Sequence, residues 1–142
     1  MKKTYKGSCH CGAVKFTADI DFVKGTQRCN CSICTKARTW FAGVGEHDLK
    51  VVEGENNLSD YSWTPPGGSK SNLHYRFCKT CGIRTFAKGF QESLGGVFYA
   101  VAIGALDNVA NADDIDALAT TIKFVDGRHD EYSKPPKDTR LM

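Results

Sequence analysis

The sequence predicts a mainly β protein with few short helices, and three observations carry that reading. Segments such as Ala13-Val14-Lys15-Phe16-Thr17-Ala18-Asp19-Ile20 and Leu73-His74-Tyr75-Arg76-Phe77 alternate apolar and polar side chains with the period of a strand. Val97-Phe98-Tyr99-Ala100-Val101-Ala102-Ile103 is an almost unbroken apolar run with β-branched and aromatic members, which reads as a central strand buried on both faces. Between Phe77 and Ile83 lies Cys78-Lys79-Thr80-Cys81-Gly82, a turn joining an outgoing strand to a returning one.

With 142 residues the chain can bury roughly 68% of its unfolded surface, so one domain spanning 1–142 is expected, ending in a polar, irregular tail from about residue 126. Hydrophobic content of 41% and charged content of 25% are those of a soluble globular protein, and no apolar run is long enough to span a membrane. The basic start Met1-Lys2-Lys3 lacks the apolar segment of a signal peptide, which points to the cytoplasm. There, clustered thiols are metal ligands or redox groups more often than disulfides, and seven cysteines is an odd count for a disulfide framework. A net charge of +3 spread among acids gives no nucleic-acid signal.

Taken in order, Val14 and Phe16 fall on one face of the first strand, with Cys9 and Cys11 preceding or entering it. Lys24-Gly25-Thr26-Gln27 reads as a turn into Cys29-Asn30-Cys31-Ser32-Ile33-Cys34, and the absence of Pro and Gly from Ser32 to Arg38 predicts a short helix there. Strands are expected at Trp40–Val44 and Leu49–Glu53, separated by a turn at Gly45–Asp48. A hairpin-type turn at Gly54–Asn57 leads to Leu58–Trp63, and Pro65-Pro66-Gly67-Gly68-Ser69-Lys70-Ser71-Asn72 is the strongest loop signal in the chain. Ile83–Ala87 forms the strand that returns from Cys81, Asp113–Ala119 a short helix with acids in its first turn, and Thr121–Val125 a final strand.

The cysteines carry the chemistry. Cys78-x-x-Cys81-Gly82 has the spacing of a zinc knuckle, in which both sulfurs turn inward and glycine tolerates a positive φ. With Cys9 and Cys11 it makes a set of four, and Cys29, Cys31 and Cys34 make a set of three where a closed tetrahedral site wants four. Spacing alone also allows Cys9 and Cys11 to join the triplet, and His10, His47, His74 or His129 to complete a Cys3His set. An open three-thiolate zinc site invites a thiol substrate. Lys36 and Arg38, just after the triplet, and Arg76, before the knuckle, are the cations considered for carboxylates of such a ligand. Trp40 and Phe41 are expected in the core, away from any pocket wall.

The series Gly7-Ser8-Cys9-His10-Cys11-Gly12-Ala13-Val14, Cys29-Asn30-Cys31-Ser32-Ile33-Cys34 and Phe77-Cys78-Lys79-Thr80-Cys81-Gly82, with Gly104-Ala105-Leu106-Asp107 after the central strand, resembles the glutathione-dependent formaldehyde-activating enzymes, a family that includes centromere-protein-V-like members. The resemblance spans about residues 5 to 110 and implies an irregular fold of several small antiparallel sheets with a zinc-ribbon-like knuckle. It implies two zinc ions per chain, a structural one on Cys9, Cys11, Cys78 and Cys81 and a second, open one on Cys29, Cys31 and Cys34. The implied activity is that of a carbon–sulfur lyase of the S-(hydroxymethyl)glutathione synthase type, joining glutathione to formaldehyde with Lys36 and Arg38 as candidate glutathione contacts. Two other readings fit the same cysteines: a non-catalytic zinc module, and a glutathione or thiol carrier in which the triplet cycles through disulfides.

Overall fold

The computed structural model describes residues 1–64, 73–109 and 112–142. Their strands form two sheets, one of three strands and one of seven, and the cysteine sets sit where turns leave those sheets.

The smaller sheet is built from β1 (Lys3–Ser8), β2 (Lys15–Ile20) and β5 (Leu49–Glu53) in the order β1-β2-β5, all antiparallel. β1 is an addition to the sequence reading: its two buried residues, Tyr5 and Gly7, alternate with exposed ones, but lysines and a threonine hide the pattern. Gly7 pairs with Phe16, and the Phe16 ring lies over it so closely that a Cβ there would come within 2.2 Å of the ring. Val14 and Phe16 are both fully buried, but Val14 lies just before β2 and packs with Cys9, Leu58, Cys78 and Phe86, while Phe16 joins the core between the sheets.

The larger sheet runs β10-β3-β4-β9-β8-β7-β6, with β3 (Thr26–Cys29), β4 (Trp40–Gly45), β6 (Leu58–Trp63), β7 (Leu73–Cys78), β8 (Arg84–Gln91), β9 (Gly96–Ala102) and β10 (Ile122–Val125). Every pairing is antiparallel except β10 with β3, where the chain crosses over through α2 (Ala112–Thr120). The remaining helix, α1 (Ser32–Ala37), follows the cysteine triplet as expected.

Three sequence expectations change. The turn before the triplet ends at Gly25, whose φ is +95°, and Thr26–Cys29 is already strand because it pairs with both β10 and β4. Gly54–Asn57 does not close a hairpin: β5 belongs to the small sheet and β6 to the edge of the large one, so this turn passes the chain between sheets. Gly54 has φ +81° there, and a Cβ on it would lie 1.9 Å from the Ala13 carbonyl oxygen. Finally, β9 is central in the order of its sheet, but only Val101 in it is fully buried; Phe98, Ala100 and Ala102 instead line a cavity. The loop read at 65–72 lies outside the described residues.

Between the sheets, Tyr5, Phe16, Ala18, Ile20 and Phe22 pack against Ala42, Val44, Val101 and Ile103. Edge-on contacts from Phe16 to Phe86 (5.8 Å) and from Phe86 to Tyr99 (5.7 Å) carry this packing across the gap. A polar bond anchors α2. Tyr5 Oη donates to Asp114 Oδ1 at 2.7 Å inside the protein, with Lys3 Nζ 3.3 Å from the same oxygen. That hydrogen bond and the burial hold the Tyr5 phenol far above its usual pKa, burial being the larger cause. Hydrogen bonds to a buried charged acceptor contribute about 1.5–3 kcal/mol. Tyr5→Phe keeps the ring and removes the donor, so urea unfolding should show a stability loss of about that size, with the cysteine sites retained; an unchanged midpoint would mean the bond contributes nothing.

Candidate metal centres

Cys9, Cys11, Cys78 and Cys81 come together with their sulfurs all within 4.8 Å of one another. Two glycine-ended turns accomplish this. In the first, the Cys9 N–H donates to Val14 O and the Gly12 N–H to Cys9 O, with Gly12 at φ +81°; in the second, the Cys78 N–H donates to Ile83 O and the Gly82 N–H to Cys78 O, with Gly82 at φ +74°. Each turn points its sulfurs inward and backbone N–H groups at them: Val14 N lies 3.3 Å from Cys9 Sγ and Thr80 N 3.4 Å from Cys78 Sγ, while Asn57 Nδ2 lies 3.2 Å from Cys78 Sγ. The Cys9–Cys11 and Cys11–Cys78 sulfur separations are 3.6 and 3.7 Å. A tetrahedron of sulfurs with metal–sulfur bonds of about 2.3 Å has edges of about 3.8 Å. These four residues can therefore hold one metal ion in a closed site.

The charges point the same way. Backbone N–H groups, Cys81's first, pull the Cys78 thiol down to about 6. Cys11 is pushed up to about 11: the Ala13 backbone pulls it down, but burial and the neighbouring sulfurs outweigh that. Four thiols this close cannot all ionise unless a cation sits among them.

Cys29, Cys31 and Cys34 form the second cluster, also with all sulfurs within 4.8 Å. Cys29 ends β3, Cys31 is the N-cap residue of α1 and Cys34 lies in its first turn, so a strand-to-helix turn gathers the three. Hydrogen bonds from Cys29 and then Cys34 hold the Cys31 thiol far below its ordinary value, while those from Cys29 and then Cys31 push Cys34 far above it. Among the described residues no fourth His, Cys, Asp or Glu joins the group. His74 and His129 pair instead with Asp60 at 2.7 Å and Asp126 at 2.8 Å, and neither His10 nor His47 reaches it.

The tail completes this site's surroundings, which the sequence reading missed. Asn30 Nδ2 donates to Asp126 Oδ1 (2.7 Å), and the Arg128 backbone N–H and Nε donate to Asn30 Oδ1 and O (3.0 and 3.1 Å). Gly127 is pressed so tightly against the cluster that a Cβ on it would be 2.4 Å from Cys29 Sγ. In sequence, Asp126-Gly127 reads only as the start of the irregular tail.

The triplet opens onto a cavity of about 1490 Å3, larger than the roughly 300–1000 Å3 of an ordinary small-molecule site. Trp40 and Phe41 line it, against expectation: β4 turns Ala42 and Val44 to the core, while Trp40 reaches both core and cavity. Arg38 lines it too, in the left-handed conformation (φ +53°) that ends α1, with Nη1 donating to Leu141 O at 3.2 Å. Lys36 is exposed on α1 and does not line the cavity. Nor does Arg76, which lies 3.6 Å from Glu55. Two cations that sequence reading passed over do line it: Arg28, stacked over Trp40, and Arg84, stacked over Tyr75, each 4.6 Å from the ring centroid. Tyr75 in turn packs with Cys29 and Cys34.

Residues 4–121 match the family described as glutathione-dependent formaldehyde-activating enzyme, a span that takes in both cysteine sets and most of the cavity wall. The chain belongs to this family. A Halomonas elongata protein provisionally named a glutathione-dependent formaldehyde-activating enzyme is 35% identical over 80 residues, covering 54% of this chain and 50% of that protein, so the chain spans about half the length of this relative. The crystal structure of a Rhodobacter sphaeroides protein superposes with a TM-score of 0.61 at 31% identity, covering 80% of this chain and 96% of that one. The match to the glutathione-dependent formaldehyde-activating enzyme family stops short of β10 and of the Gly127 turn.

The two clusters should differ in what they support. The four-cysteine set draws on segments far apart in the chain, whereas the triplet comes from one short segment. Cys78→Ser should therefore unfold or insolubilise the protein, and Cys31→Ser should leave a cooperative thermal transition with about one bound metal ion fewer by elemental analysis. Equal loss of structure from both changes would contradict this division.

Proposed function

We propose that the protein is a zinc enzyme that reversibly joins the thiol of glutathione to formaldehyde, giving S-(hydroxymethyl)glutathione, an activity of the carbon–sulfur lyase type. The observation that carries this reading is the three-sulfur cluster on the wall of a large cavity, with no fourth protein ligand among the described residues and with guanidinium and aromatic groups around it. In this reading Cys9, Cys11, Cys78 and Cys81 hold a structural zinc, Cys29, Cys31 and Cys34 hold the second, and the chain works as one domain. Among the described residues no helix is long and apolar enough to cross a membrane, and seven free cysteines suit the reducing cytoplasm.

The residues present fit zinc: all the donors are thiols, the sulfur spacings of the four-cysteine set suit a tetrahedral thiolate site, and the clustered sulfurs need a compensating cation. When bound at the triplet, zinc supplies a Lewis acid whose charge favours the thiolate form of an incoming thiol.

The chain's own residues supply placement. The sulfur–carbon bond forms as the carbonyl π pair moves to oxygen, and that oxygen takes up the proton the thiol has released, so no net proton is consumed. Trp40, Phe41, Trp63 and Tyr75 wall the cavity against water and restrict how the two reactants meet. Tyr132 lines the cavity on the Gly127 side, with its hydroxyl 3.4 Å from where a Gly127 Cβ would be, and offers a hydrogen bond to the oxygen that gains charge. Burial, then the charges of the cysteine cluster, keeps this phenol protonated.

Two measurements test the reading. Glutathione should bind more tightly than S-methylglutathione by calorimetry, since only the former has a free sulfur for the triplet. Exchange between free formaldehyde and S-(hydroxymethyl)glutathione, followed by NMR exchange spectroscopy, should accelerate in proportion to zinc-loaded protein and revert to the uncatalysed rate in Cys31→Ser. Tight glutathione binding with no acceleration would instead make the protein a thiol carrier, and two zinc ions indifferent to any thiol would make it a non-catalytic module.

A further inference from the structure

Three guanidinium groups line the cavity, and none has a carboxylate partner among the described residues. Among the described residues the side chains of Arg28 and Arg84 make no hydrogen bond or ion pair; each has its ring contact, at 4.6 Å to Trp40 and Tyr75. Arg84 Nη1 is buried with no hydrogen-bond partner at all. Arg38 has the Leu141 carbonyl and nothing anionic. Glu92 is the one acid among the described lining residues, against these three bases.

Arg38 is exposed, but Arg28 and Arg84 are half-buried, and unpaired guanidinium groups in that position cost stability because burial removes hydration that no carboxylate replaces. At Arg28 burial, and next the charge of Arg38, lower the pKa, so two cations face each other with no anion to relieve them. A guanidinium over an aromatic face keeps its N–H donors available, and those donors can grip a carboxylate by two parallel hydrogen bonds. The groups also stand on two different walls. Arg28 and Arg38 flank Trp40 on β3 and at the end of α1; Arg84 lies on β8, over the Tyr75 ring that packs against Cys29 and Cys34.

We propose that Arg84 and the Arg28–Arg38 pair are the two carboxylate anchors of this cavity, so that a thiol bearing two carboxylates is held at both ends with its sulfur at the triplet. This rests on reading the triplet as a thiol site, and adds to it the two anchors and the substrate class they exclude: neutral, cationic and singly charged thiols.

Calorimetry on the zinc-loaded full chain tests the proposal with three ligands: glutathione, its monoethyl ester and 2-mercaptoethanol. Each charge-assisted carboxylate contact should be worth about tenfold or more in affinity. The ester should therefore bind about tenfold more weakly than glutathione, and 2-mercaptoethanol more weakly still. Arg84→Met and Arg28→Met, with zinc content and thermal midpoint measured alongside, should each weaken glutathione by a similar factor. In one of the two variants esterification should have no further effect, which identifies the arginine that reads the esterified carboxylate. Equal affinity of the wild-type protein for all three ligands overturns the proposal, as does an ester penalty that persists undiminished in both variants. S-methylglutathione separates the two readings. Should it match glutathione in affinity while its own ester still binds weakly, the carboxylate anchors stand and the thiol reading falls; if neither glutathione nor its S-methyl analogue binds, the anchors fall as well.

Discussion

The mutual repulsion of closely spaced thiolates is the constraint on which most of this structure depends. Four sulfurs drawn within 4.8 Å of one another require either protons or a central cation, and the surrounding backbone N–H groups favour the charged form at Cys78. A cation there would tie the turn between β1 and β2 to the turn between β7 and β8, and so the small sheet to the large one. The packing follows from that junction. Val14, Leu58 and Phe86 collect around Cys9 and Cys78, and the Phe16–Phe86–Tyr99 contacts lead from there into the inter-sheet core.

The second cluster is built differently, and the difference sets what each can do. A single turn from β3 into α1 presents all three sulfurs of the triplet from one side. The opposite side is left to a cavity whose walls come from the middle strands of the large sheet and from the tail. Those strands cannot be buried on both faces and also line a cavity, which is why β9, apolar along its whole length, is only half-buried over most of it. Apolar residues facing a cavity and apolar residues facing a core look alike in sequence; only the presence of a second layer distinguishes them.

The glycines mark where chain passes close to chain. Gly7 makes room for the Phe16 ring, Gly54 for the Ala13 carbonyl and Gly127 for Cys29 Sγ. The last draws the tail into the metal site. It lies beyond the segment that matches the family.

The sequence by itself determined the β-rich class, most strand positions and the helix after the triplet, because each rests on periodicity or spacing within a short segment, whereas spacing left open which set Cys9 and Cys11 join, and the fold brings them to Cys78 and Cys81. The sequence also contained the motifs that place the chain in its family. Which strands pair was decided only in three dimensions: Gly54–Asn57 has the composition of a hairpin, yet it joins two sheets because β5 finds β2 and β6 finds β7. The charges of the site were likewise a tertiary outcome. Lys36 is near the triplet in sequence and points away from the cavity, while Arg84, some fifty residues on in the chain, reaches it across Tyr75. Proximity along the chain says little about direction, and direction is fixed by the face of the strand or helix that a residue occupies once its neighbours have packed.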